Sequence, residues 1–567
     1  MPLHRLLSTL LLTLAAGCAP RASTAVASAP LRSRYPGDLA RARPKTRAEV
    51  TNFTETSRYA DVMQFIDSLK LLGGKVHVGS IGKTTEGRDI PFVVASRPLV
   101  ETPEDAKRLG RPIVYVQANI HAGEVEGKEA LLALLRDLVF DPRANVLDTL
   151  VLVAVPIYNA DGNERVGPQE QNRSEQNGPA LVGTRANGQG LDLNRDYVKA
   201  EAPETRASLA MFRTWDPDVF VDLHTTDGSY HGYALTYAAS LNPAARLTAP
   251  FTHDTLLKDL RLRMRLREGF EVFDYGNFVS QDSAARGWFT YDARPRFGTN
   301  YYGLRGRIAV LSEAYSHDPF ARRVAATYDF VAELLSYIAE DPGDILDRSR
   351  EANARTTGWG NLPSSSGPVA IRSTIASRGV EPVLVAQVER TGDTVRYQAG
   401  MPRGERLTGH VDAVRMPVYD HFAPTLQVPM PFAYLIASDA ADSVLPRLAL
   451  HGIEVNQLAA DTSVLVQRFM VDSLTHADHP FQGHHEARPF GHWSASASRA
   501  FPAGTYVVRT GQPLGILAVY LLEPESDDGL VTWNVLDADI ENGREYPVLR
   551  VAQPTALHLR PVSPPGR

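Results

Sequence analysis

The sequence predicts an α/β domain, with a mixed, largely parallel sheet covered by helices on both faces, followed by a β-rich C-terminal domain. Three observations carry that reading. From about Arg47 to Asp341, short apolar runs alternate with helical patterns, as βα repetition around a covered sheet requires. Between Glu351 and Pro368 the composition turns to Asn, Gly, Ser and Pro, including Leu362-Pro-Ser-Ser-Ser-Gly-Pro368. Beyond it, short alternating runs such as Val383 to Val388 and Tyr506 to Arg509 are punctuated by Gly and Pro, and helical stripes are scarce. At 567 residues the chain exceeds what one core holds. The expected division is 1–17 signal peptide, 18–46 tether, 47–345 α/β domain, 346–370 linker and 371–567 β-rich accessory domain.

Met1 to Gly17 has a short basic start, His4-Arg5, an apolar run from Leu6 to Leu14, and small residues before Cys18. That pattern is a secretory signal, too short to span a bilayer. Leu14-Ala-Ala-Gly-Cys18 resembles a bacterial lipoprotein processing site, which implies an exported, periplasmic or cell-envelope protein attached to membrane through a lipidated Cys18. Cys18 is the only cysteine, so the chain closes no internal disulfide and builds no cysteine metal cluster. Ala19 to about Pro44, rich in Ala, Ser, Arg and Pro, reads as a flexible tether. Strands are expected at Ile90 to Ala95, Ile113 to Ala118, Leu150 to Val155, Val219 to Leu223 and Ile308 to Leu311. Leu131, Leu134, Leu135 and Leu138 repeat at i, i+3, i+4 and i+7, one apolar stripe on a helix; Phe320 to Ile338 predicts another. The net charge of −6 comes from interspersed residues, with no basic run, which argues against a nucleic-acid partner. Nothing in the sequence sets an oligomeric state.

Chemistry concentrates where apolar runs end. His121-Ala-Gly-Glu124 follows the Ile113 to Ala118 run and offers an imidazole and a carboxylate, two of the three protein ligands of a catalytic zinc site. His224 ends Asp218-Val-Phe-Val-Asp-Leu-His224, so a third ligand would emerge from another strand end, where sites in open α/β sheets gather. Glu313 follows Ile308-Ala-Val-Leu-Ser312. A carboxylate there is costly unless paired, solvated or functional, and beside zinc it can serve as a general base. Between them lies Arg185-Ala-Asn-Gly-Gln-Gly-Leu-Asp-Leu-Asn-Arg195. Arg195 offers a planar fork for a carboxylate, Asn194 an amide, Arg185 a cation for a developing oxyanion and Asp192 an acid to orient a ligating imidazole.

The ordered set His121-x-x-Glu124, Asn159-Ala-Asp-Gly162, Arg185, Asp192-Leu-Asn-Arg195, Asp222-Leu-His224 and Glu313 resembles the zinc carboxypeptidases of the carboxypeptidase A type, over about residues 50 to 340. The resemblance implies one zinc ion on His121, Glu124 and His224, a fourth position open to water, and Glu313 as general base and proton carrier. It implies a peptide substrate whose scissile carbonyl meets Arg185 and whose terminal carboxylate meets Asn194 and Arg195, with Asp192 bracing His121. Gly123 departs from the pattern, standing where many relatives carry an arginine. The mobile tyrosine that closes over substrate is matched in spacing by Tyr291, whereas Tyr301 and Tyr302 lie nearer Glu313 and read as wall residues. Arg294 and Arg296 read as binding or loop charge. Glu126 is set aside as a ligand by its spacing from His121, and His484-His485 with His492 reads as a surface cluster. The expected function is an exported metallocarboxypeptidase. A zinc amidohydrolase acting on acylated amino acids or cell-wall peptides is the alternative enzyme. A binding module on a peptidase scaffold is the non-catalytic alternative.

Overall fold

The computed structural model describes residues 43–280 and 286–562. The signal sequence, Cys18 and nearly all of the tether lie outside the described residues. Eight strands form one sheet: β1 (His77–Lys83), β2 (Asp89–Ala95), β3 (Ile113–Ala118), β4 (Val151–Val155), β5 (Val219–Thr225), β6 (Leu235–Ala239), β7 (Val272–Asp274) and β8 (Ile308–Ala314), in the order β1-β2-β4-β3-β5-β8-β6-β7. The central strands β4, β3, β5 and β8 run parallel, while β1, β2 and the β8–β6 pair add antiparallel ladders. The sheet is therefore mixed, with a parallel centre.

Strand alternation divides the core between two faces. Val114, Val116, Val219, Val221, Ile308 and Val310 pack with helices α1 (Tyr59–Leu71), α2 (Glu126–Phe140) and, further along the chain, Phe320–Glu340. Leu131, Leu134, Leu135 and Leu138 all lie buried on α2. Tyr115, Phe220 and Ala309 face the other way, onto α3 (Pro203–Trp215), Tyr301 and Tyr302. That second core does not stop at the α/β domain. It continues through Tyr434, Leu517 and Trp533 of the C-terminal part.

Several elements differ from expectation. Strands β5 and β8 run on through His224 and Glu313, so both side chains sit within paired strand rather than beyond it. The first part of the expected linker is helical: α4 (Phe320–Glu340) is followed directly by α5 (Pro342–Asn361), started by Pro342 and an Asp341 cap. Its buried stripe, Ile345, Ser349, Ala352, Thr356 and Gly360, is too small and polar to announce itself by hydropathy. Gly360 is required there, because a Cβ would stand 2.1 Å from the Thr510 backbone carbon. The C-terminal part is β-rich, with a five-stranded sheet and a long hairpin (Gly379–Arg390 with Glu405–Tyr419), yet it also contains helices α6 (Ser438–His451) and α7 (Gly515–Leu522). No helix among the described residues is long and apolar enough to cross a membrane.

Tyr301 and Tyr302 are core residues rather than cleft wall. Tyr302 OH lies 3.0 Å from Ser208 Oγ. Tyr301 OH lies 2.7 Å from His451 Nδ1, and His451 Nε2 lies 3.0 Å from the Val198 carbonyl. Donation from Tyr301 and to Val198 requires a neutral His451 ring, and burial together with Arg305 lowers its pKa to about 3. Protonation then favours the unfolded chain, whose histidine titrates near 6.5. Stability from this group is complete above that value and falls as pH drops toward the folded pKa. Lowering pH from 7 to 5 is expected to cost about 2 kcal/mol at this site, read as a drop in urea midpoint that His451→Gln diminishes.

Candidate active site

The site forms where β3, β5 and β8 end. After β3, Asn119 takes a φ of 66° and turns the chain, and its Nδ2 donates to the Ala122 and Glu124 carbonyls. A second asparagine, Asn159, joins this loop to the next, donating to the Ile120 and Arg185 carbonyls. The two loops approach so closely that a Cβ on Gly183 would stand 2.5 Å from the Gly162 oxygen. His121 and Glu124 are thereby held against His224, which β5 presents from its carboxyl end.

His121 Nδ1 lies 3.0 Å from Glu124 Oε1, and His224 Nδ1 lies 3.0 Å from Glu124 Oε2. All three residues are 3% exposed. On its other nitrogen His121 meets Asp192 Oδ1 at 2.9 Å, which fixes the proton on Nε2 and turns the Nδ1 lone pair toward a carboxylate. Acceptor then faces acceptor, an arrangement that a divalent cation resolves. Four-coordinate zinc holds its ligand atoms about 3.4 Å apart, close to these separations, so the donor set fits zinc. Asp222 Oδ2 lies 3.1 Å from His224 Nε2, and Gln117 donates to its other oxygen at 3.2 Å.

Electrostatics separate the carboxylates. Burial works to raise the Glu124 pKa, but the neighbouring His121 and Arg173 hold it well below the usual range. Asp192 is likewise held low against burial by His121, Arg185 and Arg195. Glu313 goes the other way. Burial pushes its pKa well up, with Glu124 and Asp227 adding to the rise against His224 and Arg173. It stands in register beside His224 on the neighbouring parallel strand.

The arginines are placed unevenly. Arg185 Nε donates to Asp192 Oδ2 at 2.8 Å, and its Nη1 lies 3.1 Å from His121 Nδ1. Arg195 donates to the Asn194 carbonyl and lies over the Phe297 ring at 3.9 Å, while Asn194 Oδ1 accepts from Gly298 N. Arg294, partly exposed, pairs with Asp292 two positions away, as loop charge does, whereas Arg296 is buried on Asp528 and Glu486 and is neither binding nor loop charge. Tyr291 packs on Tyr275 and Phe297, and its buried hydroxyl has no hydrogen-bond partner among the described residues. Its pKa is raised by burial and then by Glu313. Glu126 is turned away, bonded to Thr225 and paired with Arg323 at 3.3 Å. His484 bonds Glu201 and Asn534, and His492 bonds Asp472; among the described residues neither joins a metal-type cluster.

Two residues near the centre carry no sequence signal. Arg173 reaches Glu124 Oε1 at 3.4 Å. It also borders Gly123, where an added Cβ would stand 3.6 Å from Arg173 Cβ and 3.1 Å from the Gly183 oxygen. Arg173 thus brings a guanidinium to the place that the glycine leaves. Gln482, from the C-terminal part, accepts a hydrogen bond from Asp192 N at 2.9 Å.

Two buried histidines and a glutamate gathered at the ends of parallel strands, with a carboxyl alongside, define a zinc metallopeptidase. Residues 62–264 match the family model Peptidase_M14, zinc carboxypeptidase; Tyr291 and Glu313 lie beyond the matched residues. The chain is 22% identical over 507 residues to carboxypeptidase 2 of Trichophyton tonsurans, across 83% of this chain and 81% of that protein. It is 29% identical over 195 residues to carboxypeptidase M of Mus musculus, across 32% and 40% of the two chains. A solved metallo-carboxypeptidase from Pseudomonas aeruginosa aligns over 51% of this chain and 70% of that one, at 20% identity and a TM-score of 0.36. Residues 62–264 thus carry a domain of the zinc carboxypeptidase type, and zinc metallopeptidase is the class of enzyme it defines.

Proposed function

We propose that the protein is an exported carboxypeptidase that removes C-terminal residues from peptides. One observation carries the reading: Glu313 stands in register beside His224 while His121 and Glu124 converge on the same point. His121, Glu124 and His224 would hold one zinc ion, which supplies a Lewis acid and makes water more acidic near neutral pH. Glu313, its pKa raised by burial, takes a proton from the attacking water and returns it to the departing amine. Arg185, aimed by Asp192, faces the charge that develops on the scissile carbonyl oxygen. Asn194 and Arg195 receive the substrate's free carboxylate, and Tyr291 closes over it. Export, with attachment through lipidated Cys18, rests on the sequence from Leu6 to Cys18. The division at 346–370 into catalytic and accessory domains rests on composition.

The clamp is tested by pairs of peptides with free and amidated ends, with products identified by mass spectrometry. Free ends are expected to be cut at least about a hundredfold faster, because an amide leaves the partly buried cation of Arg195 without its counter-charge. Equal rates would remove Asn194 and Arg195 from substrate binding and favour the amidohydrolase.

A further inference from the structure

Away from the active site, three ligand-type side chains meet where the C-terminal strands pack against β7. His253 sits in a π-helical turn, Thr252–Leu257; Asp274 ends β7; Asp420 sits in the turn between strands Glu405–Tyr419 and His421–Val428. One ligand atom from each lies within 4.8 Å of the other two. His253 Nε2 is 3.2 Å from Asp274 Oδ1 and 3.8 Å from Asp420 Oδ2. Yet this nitrogen is buried and makes no hydrogen bond with either.

The far side of the ring shows why that matters. His253 Nδ1 lies 2.8 Å from Asp254 Oδ1 and 2.9 Å from Arg378 Nη1; a proton kept on Nδ1 by the carboxylate frees the other ring nitrogen as a metal ligand and leaves Arg378 to Asp254, 3.2 Å away. In that tautomer His253 Nε2 points a lone pair at two carboxylates. Neighbouring ligands of four-coordinate zinc stand about 3.4 Å apart, between the two separations from Nε2. Asp420 is itself steadied by His421 Nδ1 at 3.2 Å. Arg378 is the nearby cation, 2.9 Å from His253 Nδ1, 3.2 Å from Asp254 and 3.4 Å from Asp420, and Lys258 lies 3.3 Å from Asp254 at the exposed rim. Neither pairs with Asp274. An imidazole among the ligands selects zinc over calcium or magnesium, which take oxygen.

We propose that His253, Asp274 and Asp420 bind a second zinc ion, which clamps the Asp420 turn to the catalytic sheet. The competing occupant is a proton, with His253 as an imidazolium paired to Asp254 and Asp274. The full-length protein, stripped with chelator and titrated with Zn²⁺ by calorimetry, is expected to bind about two equivalents. His253→Gln and Asp420→Asn are each expected to lose one equivalent and keep peptide hydrolysis at saturating zinc. His224→Gln is expected to lose the other. In the His224→Gln background, Zn²⁺ is expected to raise Tm by several degrees, a readout that holds even where His253→Gln folds poorly. Saturation of the wild type at one equivalent, or no Tm shift in His224→Gln, would leave the proton as occupant and overturn the proposal.

Discussion

Glu313→Gln is expected to lower kcat for peptide hydrolysis by about 10²–10⁴-fold while zinc content and fold remain those of the wild type. Glutamine keeps the size of the side chain but accepts no proton at neutral pH. The ligand set His121, Glu124 and His224 is untouched, so a metal assay on the same preparation separates loss of the base from loss of the ion. Position is equally secure. Strand β8 is paired on both sides at this residue, with His224 on β5 and Thr236 on β6, so the carboxamide is placed where the carboxyl was. Stability should not suffer. The Glu313 pKa is pushed up chiefly by burial, so its charged form is disfavoured in the fold, and a neutral isostere removes that cost. The urea midpoint is expected at or above that of the wild type. Full hydrolysis by this variant would falsify the assignment of Glu313 as base, leaving the zinc site intact.

How much of this was legible in the sequence depends on the range of the interaction. Strand β3 was readable because Ile113–Ala118 is apolar except for Gln117 and buried on both faces. The α2 stripe was readable because large leucines repeat at helical spacing. His121, Glu124, His224 and Glu313 stood out because each is a polar side chain at the end of such a run, where burial is expensive without a partner. Strand ends were less legible. The same polar residues that mark the site hide the last pairs of β5 and β8, since His224 and Glu313 break the apolar pattern while the backbone ladder continues. Helix α5 was hidden for a related reason, its buried face after Ile345 being made of Ser, Ala, Thr and Gly. Arg173 and Gln482 were illegible because their partners are 49 (173 − 124) and 290 (482 − 192) residues away and their neighbours show no period. The role of the C-terminal part at the site belongs to this last class. Gln482 reaches Asp192, which in turn steers His121 and Arg185, so a residue outside the α/β domain helps to set the active-site loop.

The strongest tie between the two parts gives the second large effect. Arg296, on the segment that carries Tyr291 and Phe297, is 2% exposed, and Asp528 from the C-terminal part is fully buried. Asp528 accepts from Arg296 N at 2.6 Å and Nε at 2.9 Å, and its Oδ1 also accepts from Trp533 Nε1 at 2.9 Å. Glu486 takes the remaining side of the guanidinium at 2.7 Å, and Trp533 lies beneath it at 4.5 Å. Asp528→Ala removes one anion and leaves the cation in place, with a donor on the indole and another on the backbone unmatched. Breaking a buried pair in this way costs about 3–5 kcal/mol, and the expected result is a large fall in urea midpoint with little change in the slope. Replacing both partners by apolar residues of similar volume, Arg296→Met with Asp528→Leu, is expected to recover most of that loss, since no charge is then stranded. Recovery would assign the pair to specific docking of the C-terminal part rather than to net stability. A single variant as stable as the wild type would show that Glu486 alone suffices for Arg296. Because Arg296 lies five positions from Tyr291, the single variant is also expected to raise KM while zinc content holds, a sign that the C-terminal part shapes the substrate side of the cleft.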